Sequence, residues 1–185
     1  MSELKQLNDA ADAPSASPMA DEAEIEKLFS SVLEGIQAGA TFKDMYGISG
    51  ETMEAIYAHA YGFYQQGRLD EAESLFRLLC VYDFYNVDYA LGLGAVFQLK
   101  KRYDKALDVY AMAYTISGGD ARAMFYAGQC NLLLRRLGKA RRCFQTVIDE
   151  NAVERLRSQA SAYLRTMRAA PDDENEEEKA DMSNR

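Results

Sequence analysis

The chain has 185 residues, 48% hydrophobic and 27% charged, the make-up of a globular protein with a sizeable core. Its formal net charge is −8, from 21 Lys and Arg against 29 Asp and Glu, which argues against general binding of nucleic acid by clustered cations. One histidine, His59, and three scattered cysteines, Cys80, Cys130 and Cys143, exclude a histidine-rich metal centre and a CxxC pair; they leave little for a catalytic triad and read as reduced thiols in a reducing cytosol.

Residues 1–20, rich in Ala, Ser, Asp and Pro, are expected to be disordered; Pro14 and Pro18 break any helix. They lack the basic start and apolar run of a signal peptide. A helical region is expected over 21–50. There Ile25, Leu28, Phe29, Val32, Leu33 and Ile36 fall on one face of an amphipathic helix, and Gly39 is its stop. The plain role for that face is to cap one end of the fold; a dimer contact is the alternative, because the face is wide for one helix.

From residue 51 to 154 the chain repeats every 34 residues. Ala72, Ala106 and Ala140 keep that spacing, as do Phe76, Tyr110 and Phe144. Leu69, Tyr103 and Leu137 follow suit, and so do Ala60, Gly94 and Gly128, and Leu79, Ala113 and Val147. Each unit (53–86, 87–120, 121–154) reads as two helices and a short turn. The first helices are predicted at 52–66, 87–100 and 121–135, the second at 69–82, 103–116 and 137–150. Glycine in a helix costs about 1 kcal/mol relative to alanine, so Gly94 and Gly128 imply close approach of paired helix backbones. A capping helix is expected over 155–170, with Val153, Leu156, Ala160, Tyr163, Leu164 and Met167 apolar. Residues 171–185, PDDENEEEKADMSNR, hold seven acids and two bases and read as a disordered acidic tail. No run of 18 apolar residues marks a transmembrane helix.

The charge is segregated. Residues 1–24 and 171–185 each carry −5; residues 121–170, with ten bases and three acids, carry +7. Arg135, Arg136, Lys139, Arg141 and Arg142 read as a solvated convex face, with contact to nucleic acid and docking to an acidic partner, including the chain's own tail, as the alternatives.

The segments YGFYQQGRLDEAESLF, GLGAVFQLKKRYDKALDVY and YAGQCNLLLRRLGKARRCF carry the spacing of small residue, bulky residue and alanine that resembles the tetratricopeptide repeat. No proline closes a repeat; Phe84, Gly118 and Ala152 stand there. The implied fold is all-α: three tandem repeats in a solenoid, between an N-terminal amphipathic helix and a C-terminal cap. The first helix of each pair would line a concave groove. Tyr57, Tyr61 and Tyr64 fall at i, i+4 and i+7 in repeat one, opposite the small-residue column. Leu91, Ala95 and Gln98 would continue that surface, then Phe125, Gln129 and Leu132. The competing reading makes these core residues, as helical aromatic stripes usually are. A groove of Tyr, Leu, Ala and Phe suits an extended apolar peptide. A clamp for a terminal carboxylate is not expected: Tyr57, Tyr61 and Gly92 occupy its places and only Arg122 is basic nearby.

No catalytic residue, cofactor or metal site is expected. His59 is read as a structural or surface residue, and the three cysteines as small core residues. Asp70, Glu71 and Glu73 are read as a solvated face, and GLG at 92–94 follows no strand and is no dinucleotide loop.

The wording GATFKDMYGIS, YAHAYGFYQQGRLDEAESLFRLLCVYDFYNVDY and QLKKRYDKALDVYAMAY resembles the class II chaperones of bacterial type III secretion, the SycD/IpgC/SicA type, over about 30–165. The resemblance implies a non-enzymatic chaperone of the bacterial cytosol. It would hold hydrophobic translocators soluble, separate and export-competent by taking their N-terminal apolar segment into the groove. It also implies a homodimer formed through the N-terminal helix, with no direct nucleic-acid contact and no membrane insertion. The alternative it carries is a coactivator binding an AraC-type transcription regulator through the same repeats.

Overall fold

The computed structural model describes Ser30, Glu34, Gly35, residues 39–150 and residues 152–168. The chain divides into two units, Met1–Ala40 and Thr41–Arg185. In the first, Gly39 takes φ +83 and the Ala40 N–H donates to the Gly35 carbonyl at 2.8 Å, the closing bond of a helix end. The proposed dimer positions Ile25, Leu28, Phe29, Val32, Leu33 and Ile36 lie outside the described residues, as do segments 1–20 and 171–185.

In the second unit the described residues form eight helices and no strand. They are α1 (Phe42–Met45), α2 (Gly50–Gln65), α3 (Leu69–Tyr82), α4 (Val87–Leu99), α5 (Tyr103–Ile116), α6 (Ala121–Leu133), α7 (Leu137–Asp149) and α8 (Glu154–Arg168). Each packs chiefly on its neighbours in sequence, and α2, α4, α6 and α8 touch in succession, which is the order of a helical-pair solenoid. The helix starts repeat their chemistry. Asn86 Oδ1 accepts the Asp88 N–H at 3.1 Å, and Asp120 Oδ1 accepts the Arg122 N–H at 2.8 Å. The short α1 is held by Thr41, whose N–H and hydroxyl both donate to Asp44, and by a Lys43–Asp83 ion pair to the end of α3.

The turn inside each pair is one device used three times. Gly67, Lys101 and Arg135, 34 apart, take φ +73, +58 and +57. The next residue's N–H then reaches back to the carbonyl five residues earlier. These bonds are Arg68 to Phe63 at 2.9 Å, Arg102 to Phe97 at 2.9 Å and Arg136 to Asn131 at 2.8 Å. Only the first turn has glycine, so the other two hold side chains in the left-handed region.

Four of the five repeated columns are buried, and Leu69, Tyr103 and Leu137 are half-buried. Ala60, Ala72, Ala106 and Ala140 are inaccessible, as are Tyr110, Phe144, Leu79, Ala113 and Val147. What the small residues accommodate is a ring, not a neighbouring backbone. A Cβ on Gly94 would lie 2.3 Å from Tyr110 Cε1, and one on Gly92 would lie 2.2 Å from Phe76 Cε1. Each second-helix aromatic therefore sits between the first helix of its own repeat and that of the next. At the C-terminal end Ala160, Leu164 and Met167 of α8 are buried, but Val153 is exposed. The helix begins one residue later, and the Val153 carbonyl accepts the Leu156 and Arg157 N–H groups at 2.9 and 3.2 Å, so its side chain is not on the packed face.

Gly94→Ala is expected to destabilise the fold by about 1–3 kcal/mol through overpacking against Tyr110, although alanine is the better helix former. Lys101→Gly is expected to stabilise it by up to about 1 kcal/mol, the left-handed cost less the glycine entropy. Urea-unfolding midpoints read both signs.

Candidate functional site

The first helices α2, α4 and α6 border a groove of about 390 Å³ within the second unit. Its aromatic end is built by α2. Tyr57 and Tyr61 stack with centroids 6.5 Å apart and planes at 15°, and Tyr61 and Tyr64 at 6.1 Å and 22°. Tyr57 is pinned by Phe76, edge to face at 5.9 Å, and by Tyr89 at 5.6 Å. Tyr57 and Tyr64 are half-buried, while Tyr61 is 47% exposed. The stripe is thus part core and part open surface, which divides the two sequence readings residue by residue.

Beyond the tyrosines a chain of amides and hydroxyls crosses the repeats. The Tyr110 hydroxyl donates to Gln98 Oε1 at 3.2 Å, Gln98 Nε2 to Gln129 Oε1 at 3.4 Å, and Gln129 Nε2 to the Tyr163 hydroxyl at 3.1 Å. Burial pushes the Tyr110 phenol well above its ordinary pKa, so it stays a neutral donor. One charged cluster sits at the rim: Arg122 bonds Asp88 at 2.8 Å and Asp120 at 2.6 Å. One cation here faces two carboxylates, so the groove presents no free cation for a terminal carboxylate.

Seven of the nine residues expected in the groove line it: Tyr57, Tyr61, Tyr64, Leu91, Ala95, Gln98 and Gln129. Phe125 and Leu132 do not. Phe125 is 4% exposed, with Phe144 at 5.8 Å and Tyr163 at 5.9 Å, and Leu132 packs against the same cluster. At Phe125 the cause is α8, whose Tyr163 ring packs against it. Phe76, Asp88, Gly92, Leu99, Tyr110, Arg122 and Tyr126 also line the groove. Tyr126 was legible as the residue 34 after Gly92, and Arg122 as the one 34 after Asp88; Leu99 carries no such signal.

The remaining candidates lie outside the groove lining. His59 is exposed. Cys130 is buried and Cys80 and Cys143 partly so; burial pushes the Cys80 thiol up to about 11 and the Cys130 thiol up to about 12. The acidic trio on α3 is not a uniformly solvated face. The Glu73 side chain is 12% exposed and bonds Arg77 at 2.9 Å, Lys100 at 2.5 Å and Arg102 at 3.4 Å. It ties the first repeat to the turn of the second. Among the described residues no group of three His, Cys, Asp or Glu could hold a metal, and no helix is long and apolar enough to cross a membrane.

Residues 53–86 and 87–117 match the tetratricopeptide repeat family. The chain is 48% identical over 153 residues to the chaperone protein SicA of Salmonella typhimurium, covering 83% of this chain and 93% of that one. It is similar to the translocator chaperone SycD of Yersinia enterocolitica, with TM-score 0.67 and 29% identity over 69% of this chain and 98% of that one. It is also similar to PcrH of Pseudomonas aeruginosa, solved with the chaperone-binding region of PopD. There the TM-score is 0.62 and the identity 34%, over 66% of this chain and 96% of that one.

The rim cluster predicts a pH dependence. Burial raises the Asp120 pKa, but hydrogen bonds from the Arg122 side chain and backbone outweigh it and hold the carboxyl below its ordinary 3.8. A depressed folded-state pKa adds stability above about pH 4 and loses it as pH falls through the folded value. Asp120→Asn keeps an N-cap and is expected to cost about 1 kcal/mol or less at pH 7, since Arg122 is half-exposed. Urea titrations at pH 7 and pH 3 should show that difference shrinking in acid.

Proposed function

The chain belongs to the type III secretion translocator chaperones of the SicA kind, and from that premise we propose that its groove holds an extended apolar segment of a hydrophobic translocator. The observation that carries this is the groove itself: an open tyrosine stack beside an amide chain, with its only charges paired at the rim. Tyr57, Tyr61, Tyr64, Leu91, Ala95, Gln98 and Gln129 are the proposed contacts. Phenol rings cover apolar side chains while hydroxyls and amides bond backbone groups that would otherwise lose water. Each Leu- or Val-sized anchor fully buried there contributes about 1.5–3 kcal/mol.

A translocator destined for a membrane exposes surface that aggregates in water. Covering its segment keeps it soluble, separate and export-competent, and no bond is made or broken. The protein is proposed as a binding protein of the bacterial cytoplasm rather than an enzyme, working through the three repeats 53–86, 87–120 and 121–154. A homodimer through the N-terminal helix belongs to the same reading. A monomer in light scattering would remove that part. The second reading, coactivation of an AraC-type regulator, is favoured by no observation and is not carried further.

Tyr61→Ala tests the groove with little risk to the fold, because this ring is the open member of the stack. Titration with a labelled translocator N-terminal segment should show about tenfold weaker binding, equivalent to about 1.4 kcal/mol, with the helical circular dichroism unchanged. Unaltered affinity would move the site elsewhere.

A further inference from the structure

Four of the six cations in the first two repeats are matched by carboxylates among the described residues; Lys101 and Lys105 are the exceptions. Arg77 bonds Glu73, Lys100 bonds Asp70 and Glu73, and Arg102 bonds Glu73. At the C-terminal end the matching thins. Arg135, Lys139 and Arg142, at the turn before α7 and along it, are exposed, as are Arg155 and Arg165 of α8. None of these five has a carboxylate within 4.0 Å among the described residues, where Arg122, Arg136 and Arg157 each have one. The three acids of this stretch are engaged: Asp149 by Gln145, Glu150 by Tyr114 and Glu154 by Arg157. Lys139 and Arg142 are three apart on one helix, where like charges repel.

The chain carries a matching counter-charge. Residues 171–185 hold seven acids against two bases and begin three residues beyond the end of α8 at Arg168. Fifteen extended residues span about 50 Å, whereas the thirteen of α7 span about 20 Å, so reach is no obstacle. A tether of this kind sets an effective concentration on the order of millimolar, which lets individually weak exposed ion pairs act together. We propose that residues 171–185 lie on the basic face of α7 and α8 as an intramolecular electrostatic cover. It withholds this face from stray polyanions and yields it to a partner of higher negative charge.

The test uses a fluorescein-labelled peptide of sequence 171–185. It is titrated against the full chain and against a chain ending at Arg168, each checked for helicity by circular dichroism. The shortened chain should bind at least tenfold more tightly than the full chain at about 20 mM salt and lose binding near 300 mM, where the Debye length falls to about 6 Å. Lys139→Glu with Arg142→Glu should abolish the gain. A full chain whose seven tail acids are replaced by amides should bind like the shortened one, which guards against an effect of truncation on folding. Equal binding by full and shortened chains would mean the face is open and would overturn the proposal. So would binding by neither.

Discussion

The structure depends on one contact made three times: an aromatic ring of each second helix seated where the facing first helices have almost no side chain. Tyr110 occupies the space left at Gly94, Phe144 the space left at Gly128, and Phe76 the space left at Gly92. The glycines weaken their helices by about 1 kcal/mol each, and the buried ring returns more than that in apolar area removed from water. Because a ring touches two successive repeats, the contact fixes both the pair and the stacking of pairs. Core and solenoid geometry are therefore one problem with one solution.

That solution also decides what is left for the groove. The small-residue column uses one face of each first helix, and the groove residues lie on the flank beside it, about 40–100° round the helix. Tyr110 links the two faces: its ring fills the core while its hydroxyl reaches Gln98 in the groove lining. In the first and third repeats phenylalanine takes its place, so among the three core rings only Tyr110 anchors the amide chain, whose other end is held by the Tyr163 hydroxyl of α8. A rigid core thereby positions the groove's polar atoms, and the site inherits the precision of the packing rather than of a loop.

Most of this was legible because a 34-residue period constrains both helices of a unit at once. Six helix positions follow from it to within a residue or two. The period fails where the environment stops repeating. Phe125 stands at the same register as Leu91, which is buried yet still borders the groove, but at the end of the stack the Tyr163 ring of α8 packs on Phe125 and leaves it wholly in the core. Lys101 and Arg135 could not be recognised as left-handed, since the residue that announces this conformation, glycine, appears only at position 67. Glu73 likewise looked like one of three equivalent surface acids; only the approach of Lys100 and Arg102 from the next turn makes it different. Pattern gives backbone periodicity, and it does not give which neighbour arrives from outside the period.

The groove is also uneven along its length, and that follows from the same columns. In the first repeat the groove positions are the stacked Tyr57, Tyr61 and Tyr64; in the second and third, Gln98 and Gln129 stand among Leu91, Ala95, the exposed Leu99 and a single ring of α4 and α6, the half-buried Tyr126. An apolar side chain gains most against the rings, and a backbone group gains most against the amides. Because Gln98 and Gln129 already bond each other, an entering peptide group exchanges partners with them rather than filling vacancies. The net gain from such an exchange is small, whereas the gain from ring burial grows with area. Under the proposed reading, affinity therefore resides at the α2 end of the groove, while the amide end sets the register of the chain lying across it.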